Sequence, residues 1–141
     1  MRAPTLRAMP KQVTPFLMFQ GGVADEAITF YTSLFDDGQI VEIAARYGPG
    51  QPGPEGTVMR ATFALAGQVF FGSDSPVRHG FDFTPSFSVW VETESAAELE
   101  RLYAALREGG AELMPLGEYG FSTRFGWVND RFGVPWQLNL A

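Results

Sequence analysis

Two stretches of the sequence are built to one plan, and no other feature narrows the possible folds so far. An extended run, Pro15-Phe16-Leu17-Met18-Phe19-Gln20, leads into a segment carrying Ile28, Tyr31 and Phe35. A second run, Ser86-Phe87-Ser88-Val89-Trp90-Val91, leads into one carrying Leu99, Leu102 and Leu106. Both triplets recur at i, i+3 and i+7, the stripe of a helix that buries one side. Three strand-like runs follow each helix. The pattern predicts an α+β fold: two βαβββ modules whose curved mixed sheets form a concave pocket.

The first strand is expected over 14–20, where Gly21-Gly22 breaks it. Asp25 and Glu26 put negative charge in the first turn of the next helix, where its dipole favours them, and Gly38 stands after its end. Strands over 40–47, 57–65 and 68–73 complete the first module. In the first of these, Val41, Ile43 and Ala45 alternate with Glu42 and Arg46, a period of two. The Gly/Pro-rich loop 48–56 can be neither helix nor central strand. In the second module a strand over 86–92 precedes a helix opened by Ser95 and Glu98, a capping box, and closed by Gly109-Gly110. Strands over 112–116, 122–128 and 135–140 follow, the last two joined by the turn 129–133. The organisation is then a first module over 9–74, a linker over 75–85 and a second module over 86–141. Residues 1–8 precede it as a disordered extension.

Composition excludes several classes of function. With 45% hydrophobic and 18% charged residues among 141, the chain is globular and long enough for a real core. A formal charge of −6 with no basic stripe argues against a nucleic-acid partner, because phosphate binding runs on Lys and Arg. The absence of cysteine removes disulfides, thiolate metal sites and a cysteine nucleophile. No apolar run approaches membrane-spanning length, and no signal-peptide core is present, so a cytoplasmic location is expected.

Individual motifs carry little chemistry. Gly21-Gly22 lacks the spacing of a dinucleotide loop or a P-loop and reads as a strand-to-helix turn. The prolines of 48–56 remove the N–H donors that a phosphate loop needs. His79, the only histidine, lies in the linker beside Phe81 and Phe83 and reads as a surface residue or a pocket rim.

The strand faces say more. Phe87, Val89 and Val91 alternate with Ser86, Ser88 and Trp90; Trp136, Leu138 and Leu140 with Gln137 and Asn139; Leu17 and Phe19 with Phe16, Met18 and Gln20. If the apolar sets pack on helices, the others share the opposite face. Aromatics mixed with uncharged hydrogen-bonding groups suit a small-molecule pocket, or equally a solvated or dimer-buried face. Arg60 alternates with Thr62 and reads as a solvated strand charge.

Phe30-Tyr31-Thr32 after an acidic helix start, Phe81-x-Phe83 leading to Ser86, and above all Gly126-Trp127-Val128-Asn129-Asp130-Arg131-Phe132-Gly133-Val134-Pro135-Trp136-Gln137 resemble one known group. It is the PhnB-like branch of the vicinal oxygen chelate superfamily, which includes glyoxalases, extradiol dioxygenases and bleomycin-resistance proteins. The resemblance covers residue 9 to the C-terminus and implies the paired βαβββ fold. Some relatives carry a demethylubiquinone-methyltransferase-like label, but no Gly-rich nucleotide loop with an acidic residue beyond it supports methyl transfer. Metal-dependent members hold an ion with four His, Gln or Glu ligands on concave strands. Carried over, those positions fall on Phe16, at or beside Phe71, on Ser86 and on Gln137. This donor set is too poor for a metal site.

The expected function is therefore metal-free and cofactor-free binding of an unknown small molecule, with sequestration of a toxic compound as one use. Gln20, Ser88, Gln137 and Asn139 are expected to orient the ligand, with Phe16, Phe71 and Trp90 as walls and Ser86 and His79 as further contacts. The resemblance also implies a homodimer. The alternatives are a divalent-metal lyase, isomerase or dioxygenase of the glyoxalase type, and a regulatory dimer without ligand.

Overall fold

In the computed structural model, which describes residues 10–141, each half of the chain forms one four-stranded sheet with one helix. The first half runs β1 (Phe16–Phe19), α1 (Ala24–Ser33), β2 (Gln39–Arg46), β3 (Val58–Leu65) and β4 (Gln68–Asp74). The second runs β5 (Val89–Thr93), α2 (Ala96–Arg107), β6 (Ala111–Gly117), β7 (Arg124–Asn129) and β8 (Pro135–Leu140). Strand orders are β1-β4-β3-β2 and β5-β8-β7-β6, the same topology twice. In each sheet the first strand pairs parallel with the last, and the other pairings are antiparallel. The α+β architecture expected from the duplicated pattern is present. The sheets are separate and open, however, and no closed barrel surrounds a pocket. The extension expected over 1–8 lies outside the described residues.

Four strands start later than expected, β3 by one residue, β1 and β7 by two and β5 by three. Pairing in β1 begins at Phe16, opposite Phe71. In the second half the expected strand 86–92 begins at Val89, because Phe87 N donates to Thr84 O (3.2 Å) and closes a turn around Pro85 and Ser86. Phe35 falls beyond the end of α1 yet packs on the core. Gly38 is required there by close approach: a Cβ would lie 1.9 Å from Thr32 O. Ser95 caps α2 by accepting from Glu98 N (3.1 Å), while Glu98 accepts from Glu94 N and not from Ser95 N, so the capping box is displaced by one residue. The cap of α1 comes from outside the helix: Asp74 Oδ1, at the end of β4, accepts from Ala24 N (2.9 Å).

One face of each sheet is buried. Leu17 and Phe19 of β1, Phe63 of β3 and Phe70 of β4 pack with Ile28 and Tyr31 of α1. Trp136 and Leu138 of β8 and Val128 of β7 lie in the same core with Leu99, Leu102 and Leu106 of α2. The two halves meet at the β7–β8 turn. Asp130 Oδ2 accepts from Tyr31 Oη (2.6 Å) and from Trp136 Nε1 (2.9 Å), and Oδ1 accepts from the backbone N–H of Phe132 (2.8 Å) and Val134 (3.1 Å). Burial raises the Asp130 pKa even against these four donors. Burial first, and the Asp130 charge second, push the Tyr31 phenol well up. Arg131 covers the joint, its guanidinium 4.2 Å from the Phe30 ring and 4.6 Å from the Phe132 ring.

Tyr31→Phe removes one of the four donors and should lower stability by about 1 to 3 kcal/mol in urea denaturation. Asp130→Ala leaves all four donors facing apolar core and should cost clearly more. Small and equal losses in the two variants would show that the joint contributes little.

Candidate functional site

The outward face of the second sheet gathers four of the nine residues singled out from the sequence: Ser88, Trp90, Gln137 and Asn139. Pairing of β5, β8 and β7 sets Trp90, Gln137 and Trp127 in one row, and Glu92, Asn139 and Phe125 in the next. Trp136 lies on the inner face, 1% exposed, whereas Trp90 is 49% exposed, so the expected alternation of faces holds along β5 and β8. Two hydrogen-bond sets order this surface. Trp127 Nε1 donates to Ser88 Oγ (3.1 Å), which ties β7 across β8 to the start of β5. Glu92 accepts from Trp90 Nε1 (3.0 Å) and from Asn139 Nδ2 (3.1 and 3.2 Å). Asn139 is itself buried, and its Oδ1 has no partner.

The outward face of the first sheet is simpler. Phe16 and Phe71 are register partners, with rings edge to face at 6.3 Å, and the Arg60 guanidinium lies 5.3 Å from the Phe71 ring centre. Arg60 is exposed, as expected of a solvated strand charge, but its cation also rests on an aromatic face.

The linker holds the remaining expected residues apart from both faces. The Gln20 amide is engaged: Oε1 accepts from His79 N (2.7 Å) and Nε2 donates to Phe81 O (2.7 Å). The His79 ring stacks on Phe81 (4.6 Å), and its Nε2 lies 2.8 Å from Ser75 Oγ. Ser86 sits in the turn before β5 with its hydroxyl 2.6 Å from Thr84 Oγ1. A cavity of about 400 Å³ beside Gln20 is lined by Gly21, Gly22, Asp74 and Arg78. Its helix N-terminus is not free for a phosphate, because the Asp74 carboxylate already takes the Ala24 N–H.

Three residues on the second face were missed from the sequence as site residues: Glu92, Trp127 and Phe125. Glu92 and Trp127 share the alternation of Trp90 and Gln137, so period-two counting along β5 and β7 was the signal that could have found them. The ligand positions implied by the resemblance can also be placed. The β5/β8 pairing puts Trp90 beside Gln137 as the β1/β4 pairing puts Phe16 beside Phe71. Ser86, the third of those positions, lies in the turn before β5 and outside the sheet pairing. Phe16, Phe71, Trp90 and Gln137 offer one neutral amide oxygen, against the roughly three protein ligands typical of a catalytic divalent ion. Among the described residues no group of three or more His, Cys, Asp or Glu is placed to hold a metal. The residues present do not fit a metal centre of that kind.

Comparison with known proteins accords with this architecture. The chain matches the family described as 3-demethylubiquinone-9 3-methyltransferase over residues 11–139. It is 53% identical to a PhnB protein from Bacillus cereus, whose structure aligns with a TM-score of 0.88 over 93% of this chain and 100% of that one. Protein PA1353 from Pseudomonas aeruginosa is 31% identical, with a TM-score of 0.78 over 93% of this chain and 98% of its own. A glyoxylase/bleomycin resistance/dioxygenase domain from Frankia, 17% identical, shares the fold at a TM-score of 0.63 over 95% and 93% of the two chains. With the duplicated topology and the closing segment around Asp130 in place, the chain belongs to this 3-demethylubiquinone-9 3-methyltransferase family, with a PhnB protein among its relatives.

Proposed function

We propose that the protein binds a small molecule on its outward sheet faces without a metal ion, and that it works as a homodimer. The observation that carries the reading is the second face itself: Trp90, Trp127, Gln137 and Asn139 lie side by side, aromatic surface next to neutral polar groups. The first face supports it, since Phe16 and Phe71 stand where metal-dependent relatives carry donors and leave apolar surface instead. Binding by itself would sequester a toxic compound. A metal-dependent reaction finds no support in the donor set, and methyl transfer finds none in the α1 N-terminus, which a carboxylate closes.

Dimerisation follows from what one chain leaves uncovered. Phe81 and Phe87 are each more than half exposed, apolar surface outside the two ligand faces. A second copy is the commonest way to bury such surface, through an isologous interface. No helix among the described residues is long and apolar enough to cross a membrane.

Three measurements test this. Acridine, a planar probe, should quench Trp90 emission and leave buried Trp136 unchanged; Trp90→Phe should remove the signal. Gln137→Leu should weaken binding by about 1 to 3 kcal/mol, as expected when a buried ligand group loses its partner. A signal that survives Trp90→Phe would refute the site. Elemental analysis of protein purified without chelator should find no stoichiometric zinc, nickel, manganese or iron; about one ion per chain, lost in Gln137→Leu, would sink the metal-free reading. Light scattering on a sizing column should report a dimer, and a monomer at every concentration would overturn the assembly.

A further inference from the structure

The second outward face is asymmetric in its chemistry, and that asymmetry names a ligand class. Its polar groups are acceptors in excess of donors. Glu92 is exposed and its carboxylate meets two neutral donors, Trp90 Nε1 and Asn139 Nδ2, with no ion-pair partner among the described residues. Asn139 is 6% exposed, and its Oδ1 is an orphan acceptor beneath that carboxylate. Asn129 Oδ1, two positions from Trp127 on the same face of β7, is a second. Buried carbonyl oxygens normally have a partner, so two orphans on one face point to a missing donor. Arg124, the basic residue of β7, is turned the other way and pairs with Glu100 of α2.

Aromatic rings lie beside Glu92 and Asn139, the register partner of Phe125. Phe125, 3% exposed, forms the floor, and Trp90 (5.8 Å), Phe121 (5.0 Å) and Tyr119 (6.1 Å) pack around it. Phe121 is 60% exposed and projects from the β6–β7 loop, stacked on Tyr119. Ring faces carry negative potential, so such a surround attracts cations as well as flat apolar bodies. An anion would meet Glu92, the ring faces and the orphan carbonyls, all repulsive. The first sheet contrasts: there a cation, Arg60, already occupies the face of Phe71.

We propose that the second outward face takes a planar aromatic cation, its ring against Trp90 and Phe121 and its charge directed to Glu92. The inference rests on the small-molecule reading above and adds the charge and shape of the ligand. The site is a binding site, and no bond is made or broken in it.

Three probes with one ring shape separate the possibilities: aminoacridine, a cation; acridine, neutral at mildly alkaline pH; and anthracene carboxylate, an anion. Calorimetry with the full chain should rank them in that order, with aminoacridine bound about tenfold more tightly than acridine. Glu92→Gln keeps an acceptor for Trp90 and should bring aminoacridine affinity down to that of acridine, erasing the gap. Raising salt on the unaltered protein should weaken aminoacridine and spare acridine, a readout that needs no variant. Phe121→Leu, in an exposed loop, should weaken aminoacridine and acridine alike. Equal binding of the three, tightest binding of the carboxylate, or a gap that survives Glu92→Gln would overturn this inference and leave the small-molecule reading standing. Failure of all three to bind would overturn both.

Discussion

The Asp130 carboxylate is the interaction on which the rest of the molecule depends. It belongs to the second half of the chain, but one of its four donors is the Tyr31 hydroxyl of the first helix. A buried carboxylate is costly unless its lone pairs are filled, and here two oxygens take two side-chain and two backbone donors. The same contact turns the Trp136 ring toward Tyr31, at 5.2 Å, so the polar joint and the apolar core assemble together. With α1 and β8 held in this way, the inner faces of both sheets are used up. The outward faces carry no helix of their own.

The first half uses the same device on a smaller scale. Asp74, also buried, closes the start of α1 through Ala24 N and orders the entry to β3 through Val58 N (2.8 Å). Each module thus spends one aspartate to settle backbone groups that its short strands leave without partners. The second helix lies so close to its sheet that Gly126 has no room for a side chain: a Cβ there would lie 2.7 Å from the Tyr103 ring. Tight helix–sheet contact fixes the twist of β7, and with it the direction in which Trp127 and Phe125 point.

Much of this was legible from spacing. The i, i+3, i+7 triplets located both buried helix faces, and period-two counting separated Trp90 from Trp136. What spacing could not supply was contact between segments distant in sequence. Asp130 read as a turn residue because nothing local reveals that its carboxylate meets a tyrosine 99 positions away. Gln20 read as a ligand-facing amide because alternation gives a side but not a partner, and its partners lie in the linker. The start of β5 was misjudged because Ser86-Phe87-Ser88 alternates like a strand, whereas Pro85 turns the backbone there.

Duplication explains why the two outward faces can differ while the fold stays the same. The inner faces are constrained by helix packing, so both modules keep large apolar side chains there: Leu17, Phe19 and Phe63 in one, Val128, Trp136 and Leu138 in the other. No such packing acts on the outward faces, and their chemistry is free to diverge: Arg60 over Phe71 on one, Glu92 beside Trp90 on the other. Phenylalanine at Phe16 and Phe71 removes the lone pairs that would hold an ion and supplies surface that water solvates poorly. On the reading proposed above, such a face favours flat organic molecules over metals, and the charged residue on each face selects among them through a Coulomb term that apolar surroundings strengthen.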